Sequence, residues 1–341
     1  MTAVGANPQT VVAFADARRT SEGDHELQMP VSPVKRALEV VVGVLGLGTA
    51  AGFLDRVSWV FEPATLFRLQ YALLLLAVTP LALAFRQWPL ALAAVTLAAV
   101  NVAVIAPWQG APREAAFLGG PTMRIVALNV ESGNHQYGRL APLLARIRPD
   151  VLGLAELTPD WARAARKAST RLKPRRLNVE PGAYGVGIFS TTRPTTVTTR
   201  RFPADGPNAI IARFRLGDLP VTIVMLHVHT PFAGSVHARE LRALAAARPQ
   251  LGRRLVVCGD FNTVPWSAQF EDFARSAGLT DAFRGSWLAH SWPSVSPSFG
   301  ALIDHCLVSD GLAIRDREIG PSIGSDHLPL ILDIGIARMT A

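Results

Sequence analysis

The apolar and polar positions divide this chain into two regions of different character. Between residues 37 and 108 only Glu39, Asp55, Arg56, Glu62, Arg68 and Arg86 are charged, which leaves the apolar runs Ala37–Leu54, Leu69–Phe85 and Leu90–Trp108. Each run approaches the ~20 residues a helix needs to cross the hydrocarbon core of a bilayer. Three in succession predict three transmembrane helices (37–54, 69–85, 90–108) within residues 35–108. Gly48 and Gly52 form a small-xxx-small pair on which another helix could approach closely, and Trp88 and Trp108 mark the ends of the third run, where interfacial Trp is enriched. Residues 1–34 are polar and mixed in charge, which predicts a disordered tail. Arg18, Arg19, Lys35, Arg36 and Arg86 fall on one side of the spans and Arg56 and Arg68 on the other. The positive-inside bias then predicts a cytoplasmic tail, a multi-pass cell-membrane protein, and an extracytoplasmic second half.

Residues 109–122 contain Gly, Pro and Ala and read as a linker. From residue 123 to the end, short apolar runs alternate with polar helices and turns. Strands are predicted over Arg124–Asn129, Val151–Ala155, Gly185–Ser190, Ala209–Arg215, Val221–His229, Leu255–Cys258, Ile303–Val308 and Leu328–Ile336. Helices are predicted over Leu140–Arg148, Trp161–Arg171, Val236–Ala247 and Ala268–Ala277. Such an order gives a two-sheet α/β sandwich or a doubly wound sheet, and periodicity does not choose between them.

Composition sharpens this division. Hydrophobic residues make up 49% of the 341 and charged residues 18%, below the quarter or so typical of soluble domains. The net charge of +8 belongs to the part from Met123 onward, which carries 26 Lys+Arg against 18 Asp+Glu. That excess suits an anionic partner. Its densest stretch is Arg163, Arg166, Lys167, Arg171, Lys173, Arg175 and Arg176, which is equally readable as a solvated face. Cys258 and Cys306 are too few for a disulfide framework or a cysteine-rich zinc site, and both fall in predicted buried strands, so packed thiols are expected.

Candidate chemistry collects at strand ends. Asn129 and Glu131 follow the first strand of this region, and Glu156 follows the second. His227 and His229 end another, on the same face because strand side chains alternate. Gly259-Asp260-Phe261-Asn262 follows LVVC, Asp304-His305 opens the strand after it, and Ser325-Asp326-His327 precedes the last. Each alone has an ordinary explanation as a turn, a cap or a satisfied core histidine. Together they supply hard oxygen donors without thiolates, a set suited to Mg²⁺ or Mn²⁺ rather than structural zinc.

In order, the segments RIVALNVE, PDVLGLAEL, YGVGIFS, MLHVHTP, VVCGDFNTVPWS, LIDHCLVS and GSDHLPL resemble the endonuclease/exonuclease/phosphatase superfamily over about residues 123–336. GDFNTVPWS and HSWPS look most like its bacterial membrane-attached branch, similar to teicoplanin-resistance-type proteins. The resemblance implies a DNase-I-like fold, a four-layer α/β/β/α sandwich, and a metal-dependent phosphodiesterase or phosphatase. It implies Glu156 as the main metal ligand with Asn129, Glu131 and Asp326 near it, and Asp260 as the residue that orients the attacking water. Asn262 would assist and hold a phosphate oxygen, His327 would donate to the phosphate with Asp304 holding its ring, and one of His227 and His229, with His227 favoured, would contact phosphate. His305 points to the opposite face and is expected to be structural.

The implied substrate is a phosphorylated molecule at the bilayer surface, with an undecaprenyl-pyrophosphate-type lipid attractive if the domain is exported. Nuclease activity is the alternative, although no specific DNA-binding motif is present. A non-catalytic protein that binds anionic lipid through Arg163–Arg176 is a second alternative, disfavoured by the full set of site residues.

Overall fold

The computed structural model describes residues 32–110, 117–286, 289–296 and 300–338. The expected disordered tail lies outside the described residues up to residue 31. Three helices come first: α1 (Pro33–Ala51), α2 (Arg68–Ala84) and α3 (Trp88–Ile105). Tyr71 and Arg68 of α2 lie directly on Gly48 and Gly52, where a Cβ would collide with them, so the small-residue pair does admit a neighbouring helix. The helices pack through Val42, Leu45, Leu75, Ala94 and Ala98, while Val44, Leu47, Leu76, Leu81, Leu92 and Val102 face outward.

Among the described residues, one helix, Trp88–Gln109, is by itself long and apolar enough to cross a membrane. α2 reaches that length only together with the 3-10 segment Trp59–Thr65, from which it is bent by 53°. Three independent crossings therefore do not follow from the helices themselves. α1 stops at Ala51, short of the expected Leu54.

The remainder is a two-sheet α/β sandwich. Its strands are β1 (Phe117–Asn129), β2 (Val151–Ala155), β3 (Lys173–Asn178), β4 (Val186–Ser190), β5 (Thr196–Arg201), β6 (Asn208–Leu216), β7 (Leu219–His227), β8 (Leu255–Asp260), β9 (Leu279–Asp281), β10 (Asp304–Ser309), β11 (Leu312–Ile319) and β12 (Leu330–Ala337). They form one sheet in the order β11-β12-β1-β2-β4-β3 and a second in the order β5-β6-β7-β8-β10-β9. Helices α4 (Leu140–Ile147) and α5 (Pro159–Ala168) cover the first sheet; α6 (Ser235–Ala246) and α7 (Ala268–Ala277) cover the second.

Strand parity builds these layers. In β1, Ile125 and Ala127 enter the core between the sheets, whereas Val126 and Leu128 pack under α4 and α5 with the buried Trp161. In the second sheet, Ile223, Met225, Val256 and Cys258 face the inter-sheet core, and Val224, Leu226, Leu255 and Val257 face α6 and α7. Burial on both faces explains the near-continuous apolar runs of the central strands.

The linker expected over residues 109–122 ends sooner, because β1 begins at Phe117: Phe117 pairs with Ala337 and Thr122 with Gly335 across a bulge. Residues 111–116 lie outside the described residues. Cys258 and Cys306 are not packed thiols. They are direct partners in the β8–β10 ladder, share the inter-sheet face, and with Cα atoms 4.2 Å apart are joined in a disulfide. Two in-register residues on one face are close enough to be bridged, a relation visible only once the strands are paired. Closing a loop of 48 residues stabilises the fold by on the order of 4 kcal/mol in the chain-entropy picture.

Alkylation of the denatured, unreduced chain is therefore expected to label neither cysteine, and to label both after reduction. Labelling of both without reductant would contradict the bridge.

Candidate active site

The site grows out of the same parity. Asn129 continues the stripe of Ile125 and Ala127 on β1. His227 continues Ile223 and Met225 on β7, Asp260 continues Val256 and Cys258 on β8, and Asp304 heads the stripe of Cys306 and Val308 on β10. The register then aligns them: His227 pairs with Asp260 across the parallel β7–β8 ladder, and Asp260 with Asp304 across the antiparallel β8–β10 ladder. A polar row thus caps the inter-sheet core one pleat beyond the Cys258–Cys306 bridge. Gly259 permits this approach: its φ of 144° is open to glycine, and a Cβ there would run into the Leu226 carbonyl.

Asp260 is almost fully buried. Its Oδ2 accepts from Asn129 Nδ2 at 3.0 Å and its Oδ1 from the Asn262 backbone N–H at 2.8 Å. Burial and the neighbouring Asp304 carboxylate push its pKa up, against the pull of His327. His327 Nδ1 lies 2.7 Å from Asp304 Oδ2, and its Nε2 is 3.6 Å from Asp260 Oδ2. Burial alone would lower the His327 pKa, but the charges of Asp304 and Asp260 raise it to about 10. The imidazolium is therefore the form present at neutral pH, with Nε2–H free of the Asp304 contact. Ser325 receives the His327 N–H and donates its hydroxyl to the Asn129 carbonyl, so it pins the turn.

Across the sandwich, Asn129 Nδ2 also donates to Glu156 Oε1 at 3.0 Å, and Glu156 Oε2 accepts from the Ser132 N–H at 2.8 Å. Burial would raise the Glu156 pKa; the Ser132 amide and the Asn129 side chain outweigh it, and the net shift is downward. Glu131 Oε2 accepts from the Asp326 N–H at 2.8 Å, and Asp326 Oδ2 from Trp292 Nε1 at 2.9 Å. Among the described residues five non-glycines have left-handed backbone, and Glu131, Glu156 and Asn262 are three of them. Such conformations concentrate where a fold holds functional side chains in place.

The two histidines of MLHVHTP separate. β7 ends at His227, so the alternation expected to carry His229 onto the same face stops. His229 follows in the loop, half-buried against Glu240, which accepts from both its backbone N–H and its ring. His227 Nδ1 faces the Ala183 carbonyl at 2.7 Å. A carbonyl can only accept, so Nδ1 donates and Nε2 is left to accept from Asn262 Nδ2 at 3.1 Å. Asn262 Nδ2 also donates to the Val228 carbonyl at 2.9 Å. Both amide hydrogens are thus spent, and the Asn262 atom free to meet a ligand is its carbonyl oxygen, an acceptor.

His305 lies on the opposite face, as expected, fully buried against Phe261 and Phe270. Two members of the basic run, Lys173 and Arg175, are turned away from the site. Lys173 opens β3 opposite Ser190, which also pairs with Val151 at the start of β2, the far end of the sheet from Asn129. Arg175 is bonded to Ser190 and Thr191.

Several supporting residues were not singled out from sequence. Ser291 Oγ accepts from the Ile303 and Asp304 N–H groups, and Tyr184 stacks on both His227 and His229. Ser291 and Trp292 lie in the quoted HSWPS segment and Tyr184 in YGVGIFS, so adjacency to a motif was the available signal. Among the described residues, Asp260, Asp304 and His327 bring ligand atoms within 4.8 Å of one another. With the His327 ring charged and both cysteines held in the disulfide, the donors open to a cation here are the Asp260, Asp304 and Glu156 carboxylates and the Asn129 amide oxygen, all hard oxygens. This set fits a hard divalent cation and offers no thiolate for a softer one.

A model described as Endonuclease/Exonuclease/phosphatase family matches residues 126–327. No curated protein matches the chain. Among solved structures, D. rerio TDP2 complexed with single strand DNA product is 16% identical with a TM-score of 0.54, over 63% of this chain and 99% of that one. A Bacteroides thetaiotaomicron mannosyl-6-phosphatase is 15% identical with a TM-score of 0.52, over 62% and 99%. The human Nocturnin catalytic domain with bound sulfate anion is 18% identical with a TM-score of 0.50, over 65% and 96%. These likenesses establish the DNase-I-like fold of the sandwich.

The His327 ring gives a sign that can be checked. Its folded pKa stands above the ordinary 6.5, so the stabilisation from its ion pair is complete below about pH 6.5 and is lost as pH rises through about 10. In an NMR titration of the metal-free protein, His327 is expected to stay protonated well past neutrality, and Asp304→Asn to bring its titration down toward the ordinary value. A wild-type midpoint near 6.5 would contradict the assigned pairing.

Proposed function

Because the chain belongs to the endonuclease/exonuclease/phosphatase family, we propose that it is a membrane-anchored, Mg²⁺-dependent phosphoester hydrolase that acts on a lipid-linked or other phosphorylated substrate at the membrane surface. The observation that carries this reading is the convergence of Asn129, Glu156, His227, Asp260, Asn262, Asp304 and His327 in one buried polar cluster at the end of the inter-sheet core. Hydrolysis at phosphorus needs charge neutralisation, an oriented water and a donor for the oxygens that gain charge. A nuclease with this machinery is the alternative; Lys173 and Arg175 of the basic run lie at the far end of the sheet and lend it no support.

Glu156, Asn129, Glu131 and Asp326 are the residues that would hold Mg²⁺, or Mn²⁺ in its place. When bound, the cation neutralises phosphoryl oxygens and lowers the barrier to attack by water. Asp260 orients that water and takes its proton, a role suited to a carboxylate whose proton affinity is raised by burial and by Asp304. The Asn262 carbonyl oxygen accepts a hydrogen bond from the same water. His327 directs its charged Nε2–H at a phosphoryl oxygen, where charge develops in the transition state. His227 acts through Asn262, whose amide it fixes, and is a positioning residue; His229, engaged by Glu240, stands outside the reacting centre.

Membrane attachment rests on the helical segment. Small residues and a few aliphatics meet between its helices while larger apolar side chains face outward, an arrangement suited to lipid as the surrounding medium. The Cys258–Cys306 bridge favours an oxidising compartment, consistent with an extracytoplasmic catalytic domain.

The test uses the full chain in detergent, with MgCl₂ and a panel of lipid pyrophosphate, sphingomyelin and plasmid DNA. Hydrolysis of a lipid substrate is expected, and Asp260→Ala or His327→Ala should each lower it by about 10²–10⁴-fold while leaving the chain in the membrane fraction. Activity that survives both substitutions would reject the site, and cleavage of DNA alone would favour the nuclease.

A further inference from the structure

The segment that joins α1 to α2 places a carboxylate inside the sandwich. Glu62 is fully buried. Its Oε2 lies 3.0 Å from His237 Nδ1 on α6, and its Oε1 accepts from the hydroxyls of Thr263 and Ser267 at 3.0 and 2.9 Å. His237 Nε2 in turn lies 3.0 Å from the carbonyl of Phe261, the residue between Asp260 and Asn262. Both partners of this ring are oxygen acceptors, so both ring nitrogens donate. Buried at zero exposure, such a ring needs the carboxylate beside it. A second pair of the same kind brackets the other side of Asn262: Asp281 Oδ2 lies 2.7 Å from His305 Nδ1, and His305 Nε2 lies 2.9 Å from the Thr263 carbonyl.

The same interhelical segment grips the chain just beyond. Asp55 Oδ2 accepts from the Ala268 N–H at 2.8 Å and the Thr65 carbonyl from Trp266 Nε1 at 2.8 Å. The backbone from Phe261 to Ala268 is therefore held from below by residues of the helical segment.

We propose that Glu62 is a positioning residue for the hydrolysis: through His237 and the Thr263 hydroxyl it fixes the backbone that carries Asp260 and Asn262, so that the helical segment completes the active site as well as anchoring it. The claim rests on the phosphoester-hydrolase reading for its catalytic consequence, but the backbone order it asserts exists independently of substrate. Arg56 provides the contrast. It joins the same two parts through exposed pairs with Glu271 and Asp272 and, among the described residues, makes no hydrogen bond or ion pair to residues 260–263.

The test compares full-length wild type with Glu62→Gln, His237→Gln, the double variant and Arg56→Ala in detergent, with bis(p-nitrophenyl) phosphate and MgCl₂ as the probe. Glu62→Gln is expected to lower kcat by about 10- to 100-fold with KM changed by no more than about twofold, as for an interaction used mainly in the transition state. His237→Gln should match it and the double variant should fall no further, because the two act in series; Arg56→Ala should keep wild-type kcat. Hydrogen exchange of the peptide spanning 258–264 should be faster in Glu62→Gln than in wild type. An unchanged kcat in Glu62→Gln, or losses that multiply in the double variant, would overturn the proposal.

If wild type hydrolyses no phosphoester, the functional reading fails and the exchange comparison still decides the positioning claim: equal exchange rejects it. Should Glu62→Gln not fold, Thr263→Val removes the Thr263 hydroxyl contact to Glu62 alone, and unchanged exchange in that variant would also overturn the proposal.

Discussion

The two-residue period of the strands is the constraint from which the rest of this molecule follows. One face of each central strand must fill the gap between the sheets and the other must pack under helices, so no strand can slip by one residue without inverting both. That register, once fixed by the apolar stripes of β1, β7, β8 and β10, places Asn129, His227, Asp260 and Asp304 at the same end of the inter-sheet core. Cys258 and Cys306 are a product of the same alignment one pleat inward. The polar cluster is thus the terminus of the hydrophobic core, and its precision derives from the core's packing.

Electrostatics completes what packing begins. Two carboxylates, Asp260 and Asp304, are buried side by side, an arrangement that costs free energy unless cationic or hydrogen-bonding groups compensate it. His327 does so as an imidazolium with its pKa raised to about 10, assisted by Asn129 and the Asn262 amide. The outcome is a site with one carboxylate of raised proton affinity facing a charged donor, the division of labour that acid–base chemistry at phosphorus requires. Further out, the pairs Glu62–His237 and Asp281–His305 hold the carbonyls of Phe261 and Thr263, so the turn that carries Asp260 and Asn262 is bound on both sides.

Much of this was legible in the sequence. Every central strand of the sandwich was marked by its apolar run, and the motif residues sit where strands end. The four strands that were missed, β3, β5, β9 and β11, are the four sheet edges. Their residues, such as KPRRLN and TVTTRR, carry the charge and polarity that protect an edge, and so leave no apolar run to detect. Sequence does not say where β7 ends; the strand stops at His227, and the alternation that would carry His229 onto the same face stops with it. The disulfide and the Glu62–His237 pair depend on contacts between residues distant in the chain. No local pattern records such contacts. Apolar runs alone mark α1 and α2, yet the segment between them carries polar groups buried against the sandwich.

Residues from both sheets are proposed to form one pocket that holds a divalent cation beside a phosphorus centre. A crystal structure of the full chain grown with Mn²⁺ and inorganic phosphate, with the ion located by its anomalous scattering, decides this. An anomalous peak against Glu156 and a phosphate oxygen facing His327 are expected. A peak remote from both, or phosphate bound only along the Arg163–Arg176 stretch, would contradict it.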